Sequence, residues 1–303
     1  MSRGVSESVN QEELAASPES LAEARRLLAD APDLRPVAGG TDLMVADPVE
    51  RADLTRVIDV GRIAELHGIA ETADGSVEIG AAVSFDEIRR HPLVGERHPA
   101  LAAAAAEVGG WQIQTRATLG GNMANASPAG DSLPVLLALG ATVVVDGAHG
   151  EREVAYDDFH VGYRETALRP GELIVRVRLP AAAGADRPGV RQLFRKVGTR
   201  EAQAISKLVV ALSARLESGA VASVRFAAGS VAATPVRLVA AEEAVADRRP
   251  DEETAAAAGE AAAGSVTPID DVRSTADYRR AVLARVVRRL VLSLAESSQE
   301  TPS

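Results

Sequence analysis

Two segments of the chain combine a Gly-Gly pair with hydrogen-bonding side chains, the residue types that bind phosphate. They are PVAGGTDLMV (36–45) and ATLGGNMANASPAGD (117–131), and we predict that each Gly-Gly pair ends an extended segment. Glycine lets backbone N–H groups approach a ligand closely and form nests that hold anions. Together the two loops predict a diphosphate site, although each pair alone is also compatible with an ordinary turn.

Familiar chemical motifs are missing from the sequence. No GxGxxG follows a predicted strand with an acidic residue about 20 positions later, and no GxxxxGK[ST] occurs, so neither a Rossmann unit nor a P-loop is predicted. The five histidines do not have metal-ligand spacing, and no serine lies in a hydrolytic nucleophile motif. We therefore predict no catalytic residue and no metal ligand in this chain.

The elements that must position the loops alternate between helical and extended patterns. Ser17-Pro18 predicts the start of a helix that ends near Asp30, and Ser84 begins a capping box with Glu87. Further helices are predicted at 99–108, 133–139, near 237–262 and at 277–294, and strands at 35–38, 56–60, 69–83 as a hairpin, 142–145, 172–179, 190–197, 209–216 and 221–227.

Domain boundaries follow from composition. We predict a disordered N-terminal tail over 1–17, a first domain over 18–180, a second domain over 187–296 and a tail over 297–303. The stretch AAAGADRPG at 181–189 is the candidate linker, because it is rich in small residues, glycine and proline.

Composition excludes several classes of function. The 303 residues carry 33 basic and 43 acidic side chains, a net charge of −10, which argues against binding to nucleic acid. Cysteine is absent, so this chain can form no disulfide, cysteine-ligated iron–sulfur cluster or cysteinyl cofactor link. No signal peptide and no apolar run of about 18 residues is visible, and we expect a cytoplasmic protein without a membrane span.

Three segments carry a resemblance to a known family. AGGTDLMV, TLGGNMANASPAGDSLPVLLALGATV and FRKVGTREAQAIS, in this order and at these separations, resemble the FAD-binding medium subunit of molybdenum hydroxylases, the xanthine dehydrogenase and carbon monoxide dehydrogenase family. The resemblance spans about residues 18–295. It implies an α+β fold with a PCMH-type FAD-binding domain of two α/β subdomains and a C-terminal domain of antiparallel sheet and helices, with FAD between them.

The resemblance also implies the residues that bind FAD. They are Val37, Ala38, Gly39, Gly40, Thr41 and Asp42 in the first loop, Thr118, Leu119, Gly120, Gly121 and Asn122 in the second, and Asn125, Asp131, Ile174, Val175 and Lys196. Both loops would hold the pyrophosphate, and Asp131 would accept hydrogen bonds from sugar hydroxyls. Val175 or its neighbour Ile174 would pack on the isoalloxazine, and Lys196 or Arg195 would lie near its polar edge.

The residue types leave alternatives open at several of these positions. Asp131 suits a sugar because a carboxylate accepts bonds from two hydroxyls, but it is equally suited to capping a helix before Leu133. For Asp42 we favour a cap on a helix starting near Leu43. Lys196 either stabilises negative charge on a reduced flavin or belongs to a solvated basic patch, and for Trp111 we favour a place in the core.

The implied function is electron transfer within a larger enzyme. A molybdopterin-binding large subunit would hydroxylate the substrate, a small subunit with [2Fe-2S] clusters would relay the electrons, and non-covalent FAD on this chain would pass them to an external acceptor, in a heterotrimer that forms dimers. A stand-alone PCMH-type flavin oxidase and a flavin-free scaffold subunit are the alternatives. The chain departs from the family at Gln114-Thr115-Arg116, where an arginine-asparagine pair is common, and at its polar N-terminus.

Overall fold

The first subdomain is a three-stranded parallel sheet beside one helix. The computed structural model describes residues 14–45, 54–200 and 203–296. Strands β1 (Leu14–Ala16), β2 (Arg35–Val37) and β3 (Arg56–Asp59) lie in the order β1-β3-β2, and helix α1 (Leu21–Asp30) connects β1 to β2. Ser20 caps α1 by accepting a hydrogen bond from the Glu23 N–H. The buried residues of α1, Ala24 and Leu28, share one hydrophobic cluster with Ile58 of β3 and with Val144 and Val175 of the second subdomain.

The second subdomain contains a five-stranded antiparallel sheet in the order β4-β5-β10-β6-β7. Its strands are β4 (Ile69–Glu71), β5 (Val77–Gly80), β6 (Thr142–Gly147), β7 (Gly150–Ala155) and β10 (Leu173–Leu179), and the small hairpin of β8 (His160–Gly162) and β9 (Glu165–Thr166) lies between β7 and β10. In β5 the buried Val77 and Ile79 alternate with the half-buried Glu78, as the pleat requires, whereas the consecutive residues Val143, Val144 and Val145 of β6 are all buried, so both faces of this strand are covered.

Six helices lie between β5 and β6 in the chain. They are α2 (Phe85–Arg90), α3 (Pro92–Arg97), α4 (Pro99–Glu107), α5 (Trp111–Gln114), α6 (Leu119–Asn125) and α7 (Leu133–Leu139). The predicted capping box is confirmed, because Ser84 accepts from the Glu87 N–H while the Glu87 carboxylate accepts from the Ser84 N–H. Every residue of α7 is buried, because this helix packs on the second subdomain and on the next domain at once.

The C-terminal domain packs helices against a four-stranded antiparallel sheet. Its strands are β11 (Val190–Val197), β12 (Leu208–Glu217), β13 (Ala220–Gly229) and β14 (Val236–Arg237), and its helices are α8 (Val239–Val245), α9 (Glu252–Gly264) and α10 (Ala276–Glu296). A separate hydrophobic core fills the space between this sheet and α8 to α10. Of the described helices, none is long and apolar enough to cross a membrane.

Most predicted elements are confirmed, with shifts at their ends. The hairpins at 69–83 and 209–227 are present, and Gly75 and Gly219 adopt the positive φ that their turns require. The N-terminal prediction is wrong in part: Leu14–Ala16 pairs with β3, and the cap of α1 is Ser20 instead of Ser17. Pairing with a neighbouring strand decides this segment, and the local sequence does not show it. Residues 1–13 of the predicted tail lie outside the described residues.

Candidate functional site

A cleft of about 420 Å³ lies where the first subdomain meets α6 and β10. Both Gly-Gly segments line it. Apolar side chains form much of its remaining wall, including Val60, Leu66, Phe85, Val108 and Ile113. Of the sequence-predicted residues, the structure brings twelve to this cleft: Val37, Ala38, Gly39, Gly40, Thr41, Asp42, Thr118, Gly120, Gly121, Asn122, Asn125 and Ile174.

The first glycine loop directly follows β2 and presents unused backbone donors. Gly40 has a φ of +69°, which favours glycine. A Cβ on Gly39 would lie 1.8 Å from the Arg116 carbonyl oxygen, so the two loops touch through their backbones. Within the described residues, the N–H groups of Gly39, Gly40 and Thr41 donate no hydrogen bond. Adjacent free N–H groups on a loop are suited to an anion such as a diphosphate.

The second Gly-Gly pair differs from its prediction. Instead of ending an extended segment, Gly120 and Gly121 lie in the first turn of α6, whose N-cap is Thr118. Their amides are already used: the Gly120 N–H donates to the Ala81 carbonyl oxygen, and the Gly121 N–H to Thr118 Oγ1. The small size of these glycines still matters, because a Cβ on Gly120 would lie 2.7 Å from that of Ala81. The second loop is therefore tightly packed against Ala81, and it has few free backbone donors.

Side chains of α6 supply further polar atoms at the cleft. Asn122 Oδ1 accepts a hydrogen bond from Ser132 Oγ at 2.7 Å, and Asn125 Oδ1 accepts one from Arg164 Nη1 at 3.2 Å. Each amide is thereby oriented with its NH₂ group unused within the described ranges. Both asparagines line the cleft, so they can donate to acceptor atoms of a ligand.

Arg164 is a site feature that the sequence did not reveal. It lies in the β8–β9 turn with a φ of +56°, and its Nη1 is 3.9 Å from Asp42 Oδ2 while bonded to Asn125. The guanidinium thus lies between Asp42 of the first glycine segment and Asn125 of the second. The Asp42 carboxylate faces Arg164, and in the described part it accepts no hydrogen bond from the N–H groups of the 3₁₀ turn at Leu43–Val45, so the predicted cap is wrong. No motif predicted the β8–β9 hairpin.

Asp131 and Lys196 form a buried ion pair. Lys196 Nζ donates to Asp131 Oδ2 at 2.7 Å and to the Glu107 carbonyl oxygen at 2.8 Å, and the lysine side chain is only 3% exposed. Of the two alternatives for Lys196, the solvated basic patch is therefore wrong. The alternative of a helix cap at Asp131 is also wrong, because Ser132 occupies the N-cap of α7 and Asp131 is bonded to the lysine.

The ion pair leaves one acceptor unused. Burial raises the pKa of Asp131 to about 6, although the neighbouring Lys196 ammonium favours the ionised form. Asp131 Oδ1 is buried and has no hydrogen-bond partner within the described chain. An unpaired buried carboxylate oxygen is costly, which makes this atom a candidate acceptor for a ligand donor. Neither residue is among those lining the cleft, but the Glu107 carbonyl that Lys196 binds directly precedes Val108 of the cleft wall.

The remaining predicted residues separate into lining and core positions. Ile174 lines the cleft, whereas Val175 lies in the core between the two subdomains, because successive side chains of a strand point to opposite faces. Leu119, the first residue of α6, is fully buried. Trp111 is 59% exposed, so its predicted place in the core is wrong: the short helix α5 presents it to solvent beside Ile113.

This arrangement suits a long ligand with an anionic middle and a flat apolar part. Free N–H groups of the first loop and the side-chain amides of Asn122 and Asn125 can bind phosphate oxygens. The apolar wall can pack against a ring. Within the described residues, no group of three or more histidine, aspartate or glutamate side chains is arranged to hold a metal ion. The site has the chemistry of nucleotide-cofactor binding, in which the protein supplies orientation and electrostatics.

Two family models match the chain over most of its length. The model described as the FAD binding domain in molybdopterin dehydrogenase matches residues 10–182. The model described as the CO dehydrogenase flavoprotein C-terminal domain matches residues 193–294. The first match covers both glycine segments, Asp131 and Ile174. The second covers Lys196, so the ion pair joins the two matched domains.

Curated relatives and solved structures agree with these matches. The chain is 30% identical over 272 residues to the xanthine dehydrogenase FAD-binding subunit of Escherichia coli O157:H7, covering 90% of this chain and 92% of that one. It is 31% identical over 274 residues to the carbon monoxide dehydrogenase medium chain of Hydrogenophaga pseudoflava, covering 90% and 93%. A solved carbon monoxide dehydrogenase of that organism, lacking the Mo-pyranopterin moiety, superposes with a TM-score of 0.87 at 32% identity, over 93% of this chain and 96% of that one.

Proposed function

The chain belongs to the family of FAD-binding medium subunits of molybdenum hydroxylases, and from this we propose that it is the electron-transfer subunit of such an enzyme. Bound FAD would supply the redox chemistry, taking up two electrons and delivering them to an external acceptor. The electrons would come from iron–sulfur clusters on a small partner subunit, which receives them from a molybdopterin-binding large subunit. A dimer of heterotrimers in the cytoplasm is the assembly that we propose.

The observation that carries this proposal is the cleft between the glycine segments. Its first loop offers the free N–H groups of Gly39, Gly40 and Thr41, and Gly121 is exposed on the opposite wall. A diphosphate between the loops would receive these donors without a side chain in the way. The unpartnered Asp131 Oδ1 supports the same assignment, because it is an acceptor suited to a ligand hydroxyl.

The residues of this chain would bind and orient the cofactor without forming a covalent bond to it. The chain has no cysteine, and no histidine is among the described residues that line the cleft, so the side chains that commonly form flavin links are missing there. Lys196 would place a positive charge near the polar edge of the ring, held in position by Asp131 and the Glu107 carbonyl. Such a preorganised charge stabilises negative charge that develops on reduction.

The absence of cysteine is consistent with the proposed division of labour among subunits. Iron–sulfur clusters are held by cysteine thiolates, so this chain cannot ligate one in the usual way. Under the proposal, the electrons would arrive from clusters on another polypeptide. The hydroxylated substrate and the molybdenum cofactor would belong to the large subunit.

Purification from the native source through a tag on this chain tests the proposal. We expect a yellow complex in which mass spectrometry finds two further polypeptides, with molybdenum and iron present in the complex. Acid or heat should release all of the flavin into the supernatant, because no covalent link is expected. The separated chain should retain the ability to bind FAD but should not hydroxylate a substrate.

Three results would each contradict one part of this proposal. Flavin that stays with the precipitated polypeptide would contradict non-covalent binding. Substrate turnover by this chain alone, free of molybdenum and iron, would favour a stand-alone oxidase. A colourless complex that binds no added FAD would favour a scaffold subunit.

The FAD affinity of the separated chain is expected to depend on pH. A hydrogen bond from a sugar hydroxyl favours ionised Asp131, so its pKa in the complex lies below the value of about 6 in the free chain. Protonation therefore opposes binding, and the Kd should rise about tenfold as the pH falls from about 7 to about 5. Fluorescence titration of the apoprotein with FAD at each pH measures the change.

Asp131→Asn is the control for this pH dependence. Asparagine keeps the size of the side chain but does not titrate, so the variant should bind FAD more weakly at neutral pH and with little change between the two pH values. The charged neighbours that act on Asp131 are Lys196 on β11 and Glu107 on α4. An equally steep pH profile in Asp131→Asn would assign the titration to another group.

A further inference from the structure

Ser230 has an uncommon backbone conformation next to the Asp131 turn. It directly follows β13 with a φ of +65° and is 6% exposed. This left-handed region is unfavourable for a residue with a side chain, and in buried positions it persists only where surrounding contacts fix it. The contacts of Ser230 show what that conformation holds in place.

All polar groups of Ser230 are hydrogen-bonded. Its N–H donates to the Pro128 carbonyl oxygen at 2.8 Å, and its own carbonyl oxygen accepts from Arg279 Nη1 at 2.6 Å. Its hydroxyl lies 3.1 Å from the hydroxyl of Ser206 and 3.2 Å from the Ser206 carbonyl oxygen. Ser230 thus connects the Pro128 carbonyl, in the FAD-binding domain, to an arginine of α10.

Ser206 provides a second connection to the same turn. It is fully buried, and its hydroxyl donates to the Ala129 carbonyl oxygen at 3.0 Å. Close packing accompanies this bond, since a Cβ on Gly229 would lie 3.2 Å from the Pro128 carbonyl oxygen. With the Lys196 bond to Asp131, the C-terminal domain binds three of the four residues of the turn 128–131.

Arg279 completes this network from outside the cleft. Its side chain is 3% exposed and is paired with Asp271, whose Oδ1 accepts from Arg279 Nη2 at 2.7 Å. Buried guanidinium groups are costly unless paired and hydrogen-bonded. Arg279 uses this paired charge to bind a single backbone carbonyl, that of Ser230. We call Ser206, Ser230 and Arg279 the serine clamp.

We propose that the serine clamp positions Asp131 for ligand binding, so that Ser206, Ser230 and Arg279 are positioning residues of the cofactor site. This inference rests on the proposed function, because the ligand of Asp131 is taken to be FAD. Asp131 must hold one oxygen on Lys196 and keep the other oriented for the ligand, which requires a fixed backbone at 128–131. A small loss of precision in such a site costs affinity, although no clamp residue contacts the ligand.

Ser206→Ala is the variant that tests the clamp with least disturbance. It removes the donor to the Ala129 carbonyl and adds no atoms. We expect the full-length apoprotein to fold and the FAD Kd to rise about fivefold to tenfold. Ser206→Thr keeps a hydroxyl and should restore much of the affinity. The matched control is Ser265→Ala, which removes a similar bond from a hydroxyl to the Ala262 carbonyl away from the turn and should leave the Kd unchanged.

A double-mutant cycle separates positioning from general stability. If the clamp acts through Asp131, then Ser206→Ala should have little further effect on FAD affinity once Asp131→Asn is present. Arg279→Lys keeps the charge but not the planar donor pair, so it should also weaken FAD binding. The visible absorption bands of bound flavin should shift in the same direction in Ser206→Ala and in Asp131→Asn.

Two outcomes would overturn the clamp while leaving the function intact. One is a wild-type FAD affinity in Ser206→Ala. The other is a double variant whose FAD Kd rises by the product of the two single-variant fold-changes, which would mean that Ser206→Ala and Asp131→Asn act independently. A wild-type chain that binds no FAD would instead overturn the proposed function, and the clamp with it.

Discussion

Replacing Lys196 by methionine is expected to lower the free energy of unfolding by about 3–5 kcal/mol near pH 8. The substitution leaves the Asp131 carboxylate buried without its partner, and breaking a buried ion pair from one side is costly. Near pH 5 the loss should be smaller, because Asp131, whose pKa burial already raises to about 6, can then be neutral. Urea unfolding at both pH values measures the difference.

Lys207→Met is the matched control for this result. Lys207 is the other lysine of the chain and lies 5.4 Å from the centre of the Tyr278 ring, partly exposed. Its loss should cost at most about 1 kcal/mol. Combining Lys196→Met with Asp131→Asn should recover part of the stability, since no unpaired charge remains. An equal loss for Lys196→Met at both pH values would mean that the carboxylate is not the cause.

Gly39→Ala is expected to weaken FAD binding at least about hundredfold and to lower the free energy of unfolding by about 1–3 kcal/mol. The new methyl group would lie 1.8 Å from the Arg116 carbonyl oxygen, well inside contact distance, so the two loops must separate. Separation would displace Gly39 and Gly40, which line the cleft, together with their free N–H groups. Fluorescence titration with FAD and thermal melting of the apoprotein measure the two effects.

Gly95→Ala controls for the loss of a glycine. Gly95 lies inside α3, and its added Cβ would meet no atom within 4 Å. Alanine favours helix over glycine, so this variant should be as stable as the wild type or slightly more stable, with unchanged FAD affinity. Normal FAD binding by Gly39→Ala would show that the contact between the loops is not needed for the site.

Local sequence patterns were sufficient to predict much of the fold. The capping box at Ser84 and the Asp74-Gly75 turn depend on residues within a few positions of each other, and both are confirmed. The two Gly-Gly segments do meet at one cleft. The second, however, begins a helix, because a threonine at the N-cap overrides the usual association of glycine with loops.

The rest of the site depends on residues that are far apart in the sequence. Lys196 is 65 positions from Asp131, and Arg164 is 39 positions from Asn125, so no local pattern could show that either pair forms. Leu14–Ala16 is a strand only because β3 lies beside it. Trp111 is exposed because the orientation of α5 is set by packing, and side-chain type alone does not reveal it.

The Asp131–Lys196 pair has a thermodynamic consequence for the whole chain, because its two members belong to different domains. A ligand that engages Asp131 can do so fully only while the C-terminal domain is docked, so binding and docking are linked equilibria. Each stabilises the other by the same free energy. Cofactor occupancy would therefore join two folding units into one cooperative transition, and loss of the cofactor would let them melt separately.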